Sequence, residues 1–394
     1  MKFIPFALAV AGLAVGLTLA SRQDARAIAA FSREYSTECV TCHNPFPRRN
    51  AFGEAFEKNG HVWPGRERTK APEGQEALWL SGLPRTIPLS ASVWTDVKYD
   101  AELENDKVSP STALSLQVGG NIRDQLGFFA HDLTSSGGEA FGMFRQVANT
   151  PFNVKFGRFS PKTTLWKADQ AFTLTLPAPL TFSVDDGGGP LVTARDAVEV
   201  NAVLGHRWFL AAGVADRKNQ DGMEFFGNAS WRIGGTDFLG EEPEVDFDVE
   251  SIWDYLALTL GAYGYYGTIE LDTYETTFWR AGAEAEATYK GFTFLVSGVT
   301  ANDDDIDGTG TEVDSAVFAV EMDYYFAPKY LLSVRFENED VGNAPDGVRK
   351  RFVGQASYFW NQNVGLRLEG TYARTEEGED PNSTTAWLRI DFHI

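Results

Sequence analysis

The two cysteines of this chain both fall in one run, Cys39-Val40-Thr41-Cys42-His43. At that spacing two thiols can each add to a vinyl group of one porphyrin while the neighbouring imidazole reaches the iron. This is the chemistry of c-type haem attachment. Paired cysteines have other uses. A thioredoxin-like redox pair belongs on the strand-to-helix turn of a βαβ unit, and none is visible here. A structural disulfide is a second use and half of a zinc site a third. Zinc needs two further ligands, and only His61 stands within reach. The run therefore predicts one covalent haem c (heme c), attached through Cys39 and Cys42, with His43 as an axial iron ligand. His61 is a candidate sixth ligand, and His393, Met143 and Met223 are the others. The choice matters, because Met opposite His raises the potential relative to two His.

The N-terminus reads as an export signal. Lys2 is a short basic start, Phe3 to Ala20 is almost wholly apolar, and Ala25-Arg26-Ala27 offers the small residues a signal peptidase reads. Cleavage is expected after Ala27, and an uncleaved membrane anchor is the alternative. No Cys follows the apolar stretch directly, which argues against a lipoprotein anchor. Export would place the cysteines in an oxidising compartment. The 394 residues carry a net charge of −21. So acidic a chain does not suit nucleic acid, which needs a basic patch. Hydrophobic residues make up 43% of the chain. Beyond the N-terminus they nevertheless form no run of about 18, the length a spanning helix needs.

From about residue 86 apolar and polar residues alternate, the period of a strand with two unlike faces. At the C-terminus Leu388, Ile390, Phe392 and Ile394 alternate with Arg389, Asp391 and His393. Ala316, Phe318, Val320, Met322, Tyr324 and Phe326 form a second such set, and Trp279, Ala281, Ala283, Ala285 and Ala287 a third. In a soluble β protein the apolar set faces a core, whereas in an outer-membrane barrel it faces lipid. The connections distinguish the two. Short ones, such as 204–206, 289–291, 327–329 and 361–363, alternate with long polar ones at 216–222, 301–312, 339–348 and 374–383. That is the pattern of periplasmic turns and extracellular loops. The expectation is an all-β fold, a transmembrane antiparallel β-barrel of about 16 strands, with a small N-terminal α-helical haem segment. A secreted soluble β protein is the rival. The strand pattern is weakest over 133–190, and 233–252 is too long for a normal periplasmic turn. Tyr324, Tyr325, Phe359 and Trp360 would suit an interfacial girdle.

The expected lumen side carries Arg280, Glu284, Glu286, Arg335, Glu337, Arg351, Arg367, Glu369 and Arg389. Mixed charges there either brace the interior or line an ion path. The expected outer loops carry Asp303, Asp304, Asp305, Asp307, Glu376, Glu377, Glu379 and Asp380. Such a face concentrates cations such as Fe²⁺, or simply keeps the surface soluble or bridges lipopolysaccharide through Ca²⁺. No Gly-x-Ser-x-Gly elbow and no His-Glu-x-x-His pair occurs, so nothing points to a hydrolase.

Around the cysteine motif, Asn50 is a plausible helix N-cap and Gly60 a plausible stop. Phe52 and Phe56 would share one helix face, where they either cover a porphyrin or pack on the barrel mouth. Residues 64–78 read as a linker. The domains are then a signal peptide (1–27), a monohaem segment with its linker (28–80) and the barrel (81–394).

The residues Ala30 to Tyr35, the CVTCH run, Asn44 to Pro47, Phe52-Gly53-Glu54, and Phe56 through Asn59-Gly60 resemble the fused outer-membrane monohaem cytochrome–porins, whose best known members are iron oxidases. The close match covers about residues 30–62, and the barrel matches in layout. The resemblance implies haem attachment at Cys39 and Cys42, axial ligation by His43, and electron transfer across the outer membrane. The expected partners are extracellular Fe(II) or another redox-active metal, a periplasmic cytochrome or copper protein, and outer-membrane lipid. Alternatives are electron export to an external acceptor, a substrate- or ion-selective porin with a haem gate or sensor, and a structural barrel with an incidental haem. One haem cannot bridge a hydrocarbon layer of about 30 Å. The segment is therefore expected to insert into the lumen near the outer loops. The other possibility is that the ion meets the haem near the periplasmic mouth.

Overall fold

An alternating strand exposes two free edges of N–H and C=O groups, and closure of the sheet satisfies them all. The computed structural model describes residues 30–43, 46–65, 89–103, 107–122, 125–132, 138–161, 163–166, 170–184, 187–216, 222–244, 251–270, 274–326, 329–342, 348–361, 363–376 and 382–393. The expected signal peptide, most of the linker and the acidic residues Glu377, Glu379 and Asp380 lie outside the described residues. The strands are β1 (Leu89–Asp100), β2 (Val108–Ile122), β3 (Leu126–His131), β4 (Glu139–Phe144), β5 (Phe152–Phe159), β6 (Arg195–Leu204), β7 (Trp208–Asp216), β8 (Met223–Ile233), β9 (Leu256–Glu270), β10 (Glu275–Tyr289), β11 (Phe292–Asp304), β12 (Val313–Phe326), β13 (Tyr330–Val341), β14 (Arg349–Asn361), β15 (Val364–Thr375) and β16 (Asn382–His393). Each pairs antiparallel with its sequence neighbours, and β1 closes on β16 through pairs such as Trp94 with Asp391. The sixteen-stranded barrel matches the alternation in the sequence. Among the described residues no helix is long and apolar enough to cross a membrane.

The two faces sort as alternation requires. On β12, Ala316, Phe318, Met322 and Tyr324 are exposed, while Ser315, Val317, Ala319, Glu321 and Asp323 are buried. At the short-turn end the outward Phe292, Tyr324, Phe326 and Tyr330 stack in a row, with centroids 4.1, 5.5 and 5.5 Å apart. Trp208 and Trp231 add a stacked pair at the same level. Such rings suit the water–lipid interface. Two of the four expected girdle residues do not belong to it. Tyr325 and Phe359 point inward and pack with Leu331 and Phe172, because consecutive strand residues face opposite sides.

The long connection 160–194 leaves β5 at the long-loop end, returns to β6 there, and folds into the lumen. Its described residues include the α-helical turn α3 (Ala178–Thr181), numbered after the N-terminal helices α1 (Ala30–Tyr35) and α2 (Ala51–Lys58). Loop backbone inside a barrel needs hydrogen-bond partners, and the inward charges of the wall supply them. Glu369 accepts from the amides of Leu174 (2.5 Å) and Thr175 (3.0 Å), and Glu337 from Ala178 (2.8 Å). Arg335 donates to the Thr175 carbonyl (2.6 Å), Arg351 to Leu176 (3.1 Å) and Arg280 to Gly188 (3.1 Å). Ion pairs lock these groups in turn: Arg335 with Glu321 (2.9 Å) and Glu337 (2.8 Å), Arg280 with Asp303 (2.9 Å), and Arg367 with Asp391 (3.2 Å). The lumen charges brace the interior. Asp303 is one of them. It was expected on an outer loop, but it lies on β11 facing inward, and also accepts from the Gly188 amide.

The connection 234–255 lies at the short-turn end. It starts with left-handed Gly234 (φ 66°) and Gly235 (φ 51°), and ends in a single turn, Ile252–Asp254, capped by Ser251. Its length broke the expected pattern of turns, and it packs on the N-terminal segment.

Candidate haem-bearing segment in the barrel mouth

The cysteine motif folds as one tight turn. Residues Cys39–Thr41 form a 3-10 turn, and the amides of Cys42 and His43 both donate to the Cys39 carbonyl, at 3.0 and 2.8 Å. This brings Cys39, Cys42 and His43 to one place, with the cysteines not joined to each other. Burial, and then the neighbouring Cys39, push the Cys42 thiol up to about 11. The His43 Nδ1 lies 2.9 Å from the Pro47 carbonyl. A carbonyl can only accept, so this contact puts the ring proton on Nδ1 and makes Nε2 the unprotonated nitrogen, the one able to act as a metal ligand. Metal-ligating imidazoles generally have such a partner behind them. Two thiols and an imidazole in this tautomer on one turn fit a covalently attached haem.

Asn50 does more than the sequence suggested. Its side chain accepts from the Gly53 amide (2.9 Å), capping α2 as expected. Its amide nitrogen also donates to the carbonyls of Val40 (3.2 Å) and Thr41 (3.1 Å), and its backbone amide to Cys42 (2.9 Å). The cap thus ties α2 to the motif turn. The contact is so close that a Cβ on Gly53 would lie 2.1 Å from the Cys42 carbonyl oxygen. Neither backbone can move alone. Gly53→Ala is expected to cost about 1–3 kcal/mol by overpacking. Limited proteolysis should then cut residues 30–63 readily while the barrel stays resistant. Protection equal to that of the unaltered chain would show that the turn and helix separate without cost.

The segment sits inside the short-turn mouth. Buried Arg48 donates to Asp323 (2.5 Å) and Glu321 (3.2 Å) on β12 and lies 4.2 Å from the ring centre of Phe172 in the lumen loop. Burial alone would push this guanidinium down, but Asp323, Glu321 and Glu286 outweigh it and hold the group above its ordinary value. Glu54 on α2 pairs with Arg232 of β8 (2.7 Å), and Asn121 of β2 donates to Glu34 and to the Tyr35 hydroxyl (both 2.8 Å). A Cβ on Gly127 of β3 would lie 2.0 Å from the Gly60 carbonyl oxygen, so the wall gives way to the segment at that point. These wall residues lie toward the short-turn ends of their strands. The expectation of a position near the outer loops is therefore corrected. The physical reasons are that β1 itself starts at the short-turn end and that the loop 160–194 occupies the middle of the lumen.

His61 has φ 62° and follows left-handed Gly60, where α2 stops as expected. Its ring stacks on Phe31 (4.9 Å, 13°) and faces Phe129 and Phe141 of the wall at 5.6 and 6.2 Å. His43 instead neighbours Phe46, which touches His393 of β16 at 4.1 Å. The two imidazoles thus look toward different aromatic neighbours. Phe56 packs on Phe31 and Tyr35, and Phe52 on Trp63. Both rings form a core for the segment itself. Of the other candidate ligands, His393 is held by Ser92 and Asp391 (both 2.9 Å), and buried Met143 accepts from Asn201 (3.7 Å). Met223 is 58% exposed on the outer face at the far end of β8, which removes it from the set. On the outer loop, the hydroxyls of Thr311 and Thr309 hold the Asp307 carboxyl below its usual range. That carboxylate shapes its own loop.

The wall's strand number, its closure and the chain folded into its lumen can be compared with known structures. The barrel is porin-like. It superposes on an anion-selective porin from Comamonas acidovorans with a TM-score of 0.57 at 11% identity, covering 78% of this chain and 98% of that one. OmpF of Salmonella typhi, in a complex with daunomycin, gives 0.55 at 11%, covering 78% and 97%. OprB of Pseudomonas putida gives 0.54 at 13%, covering 78% and 94%. Likeness at these identities shows the fold. No protein-family model matches the sequence, and no curated protein matches it.

Proposed function

We propose that this chain is an outer-membrane electron-transfer protein, a porin-type barrel whose periplasmic mouth is stoppered by a segment carrying one covalent haem c. The carrying observation is the His43 Nδ1 contact with the Pro47 carbonyl, on the same turn as both thiols. The apolar outer face, the stacked aromatic ring and the closed sheet support a membrane setting. The short turns would then face the periplasm.

Cys39 and Cys42 would hold the haem, and His43 would bind its iron, with His61 proposed as a second iron ligand. When bound, the haem supplies a one-electron donor and acceptor. The chain's own residues do the rest. The Pro47 carbonyl orients His43, Asn50 fixes the turn, and the aromatic rings around Phe31 keep water from the segment's core. Val40, exposed on the motif turn, offers an edge on the periplasmic side for a soluble cytochrome or copper protein. Extracellular Fe(II), or another redox-active metal, is the proposed donor, and with the segment at the periplasmic mouth the ion would have to enter the lumen to meet the haem there. Export to an external acceptor is the same reaction run in reverse. A second reading is favoured by the likeness to porins: an ion- or substrate-selective channel in which the segment acts as a gate or sensor.

The test is anaerobic mixing of Fe²⁺ with the oxidised holoprotein in detergent, following the reduced-haem band. Reduction that saturates with Fe²⁺ is the expected result. Reduction by dithionite alone would exclude iron oxidation. Single-channel recording of chains with and without residues 28–65 tests the second reading. A conductance that rises severalfold on removal supports a gate, and an unchanged one removes it.

A further inference from the structure

Away from the haem segment, three metal-ligating side chains converge on the short-turn rim. They are His206 in the β6–β7 turn, and Asp237 and Glu241 in the connection 234–255. Their donor atoms all lie within 4.8 Å of one another, with His206 Nδ1 at 3.0 Å from Asp237 Oδ2 and 3.2 Å from Glu241 Oε2. We propose that these residues form a binding site for a divalent first-row transition metal, clamping the rim connection to the β6–β7 turn.

The arrangement is built by the backbone. Asp237 has a side chain only 6% exposed. Its Oδ1 accepts from the amides of Leu239 (2.8 Å) and Glu241 (2.9 Å), which leaves Oδ2 aimed at His206. The Asp237 amide donates to the Glu241 carbonyl (3.0 Å), so both carboxylates project from one closed turn. The left-handed backbone of His206 (φ 63°) offers its carbonyl to the Phe238 amide (3.0 Å), which ties the two chain segments together.

One imidazole nitrogen can offer one proton, yet two carboxylate oxygens compete for it here. A divalent cation would satisfy all three donors at once. Bonds of about 2.0–2.2 Å to nitrogen and oxygen give neighbouring donors separations of about 3.0–3.4 Å, the spacing seen from His206 to each carboxylate. One imidazole and two carboxylates suit Zn²⁺, Fe²⁺ or Mn²⁺, with water in the remaining positions. The acidic loop 304–312 differs, because its Asp307 is already occupied by threonine hydroxyls.

The site borders the haem segment. Phe238 packs on Phe209 and lies under Lys58 of α2 (4.8 Å), and a Cβ on Gly240 would meet Ala55 at 3.2 Å. A bound metal would stiffen the wall on which α2 rests. The inference needs neither the haem nor a transport role.

The test is equilibrium dialysis of the full-length holoprotein in detergent against Zn²⁺, with retained metal counted by mass spectrometry. His206→Ala and Glu241→Gln are the variants, since those side chains are 51% and 67% exposed and their loss spares the turn. The unaltered chain is expected to retain one Zn²⁺ more than His206→Ala, and Glu241→Gln to bind at least about tenfold more weakly. Zn²⁺ should also raise the unfolding temperature of the unaltered barrel and leave that of His206→Ala unchanged. Equal retention by the unaltered chain and His206→Ala, or no retention by either, overturns the site.

Discussion

A chain with both Cys39 and Cys42 replaced by Ala is expected to reach the membrane as a folded barrel without covalent haem. The unaltered chain, made in a host that attaches haem to exported thiols, should keep its haem through a denaturing gel. The double variant should lose all of it. Each single variant retains one attachment point. The barrel should survive because its wall does not use the cysteines: Arg48, Glu54, Glu34 and Tyr35 make the cross-links to β12, β8 and β2. The pyridine haemochrome spectrum and heat-dependent gel mobility measure the two outcomes separately. If the unaltered chain carries no haem under these conditions, the CVTCH turn is something else. The first candidate would then be a redox pair, testable by thiol counting before and after an oxidant.

Arg335→Leu is expected to have the largest effect on stability. The Arg335 guanidinium meets Glu321 at 2.9 Å, Glu337 at 2.8 Å and the Thr175 carbonyl at 2.6 Å, with both carboxylate side chains at most 1% exposed. Leucine fills most of the volume but leaves two buried carboxylates short of a partner. Removing one member of such a group costs about 3–5 kcal/mol. Glu321 would keep Arg48, and Glu337 would keep Arg351. Loss of the Thr175 contact also frees the lumen loop, so conductance across a planar bilayer should rise. The temperature at which gel mobility shifts measures the stability loss. Adding Glu321→Gln to Arg335→Leu should restore part of it, because the carboxylate in excess is removed while Arg48 keeps Asp323. A change under about 0.5 kcal/mol for Arg335→Leu, the range of an ordinary surface substitution, would mean that the network contributes little and that apolar packing holds the loop.

Much of the wall could be read locally. A strand shows its two faces in every second residue, so Phe318, Met322 and Tyr324 pointed outward, and Glu321 and Asp323 inward, from the alternation alone. Asn50 and Gly60 marked the ends of α2 by the same kind of local chemistry: a side chain that accepts an orphan amide, and a residue that tolerates φ 66°. The inward connection 160–194 was missed. A signal existed, since Trp166, Phe172, Leu180, Phe182 and Leu191 are too apolar for a loop in water, and all are buried. Alternation fails there because the segment is not a strand.

The amino-acid sequence by itself determined the antiparallel barrel wall, the spacing that keeps Cys39, Cys42 and His43 close together, and the charged character of the lumen. The strands and that spacing follow from residues a few positions apart, whereas closure follows from the need to satisfy both free sheet edges. The tertiary structure alone decided what fills that lumen. Glu369 receives the amide of Leu174 across 195 positions, Arg48 reaches Asp323 across 275, and His206 meets Asp237 across 31. No local period encodes such pairs. Closing the sheet brings fifteen neighbouring strand pairs and one terminal pair into a ring. Only then do inward charges from distant strands face a common interior, where they can meet loop amides and carbonyls that the loop's own backbone leaves unpaired.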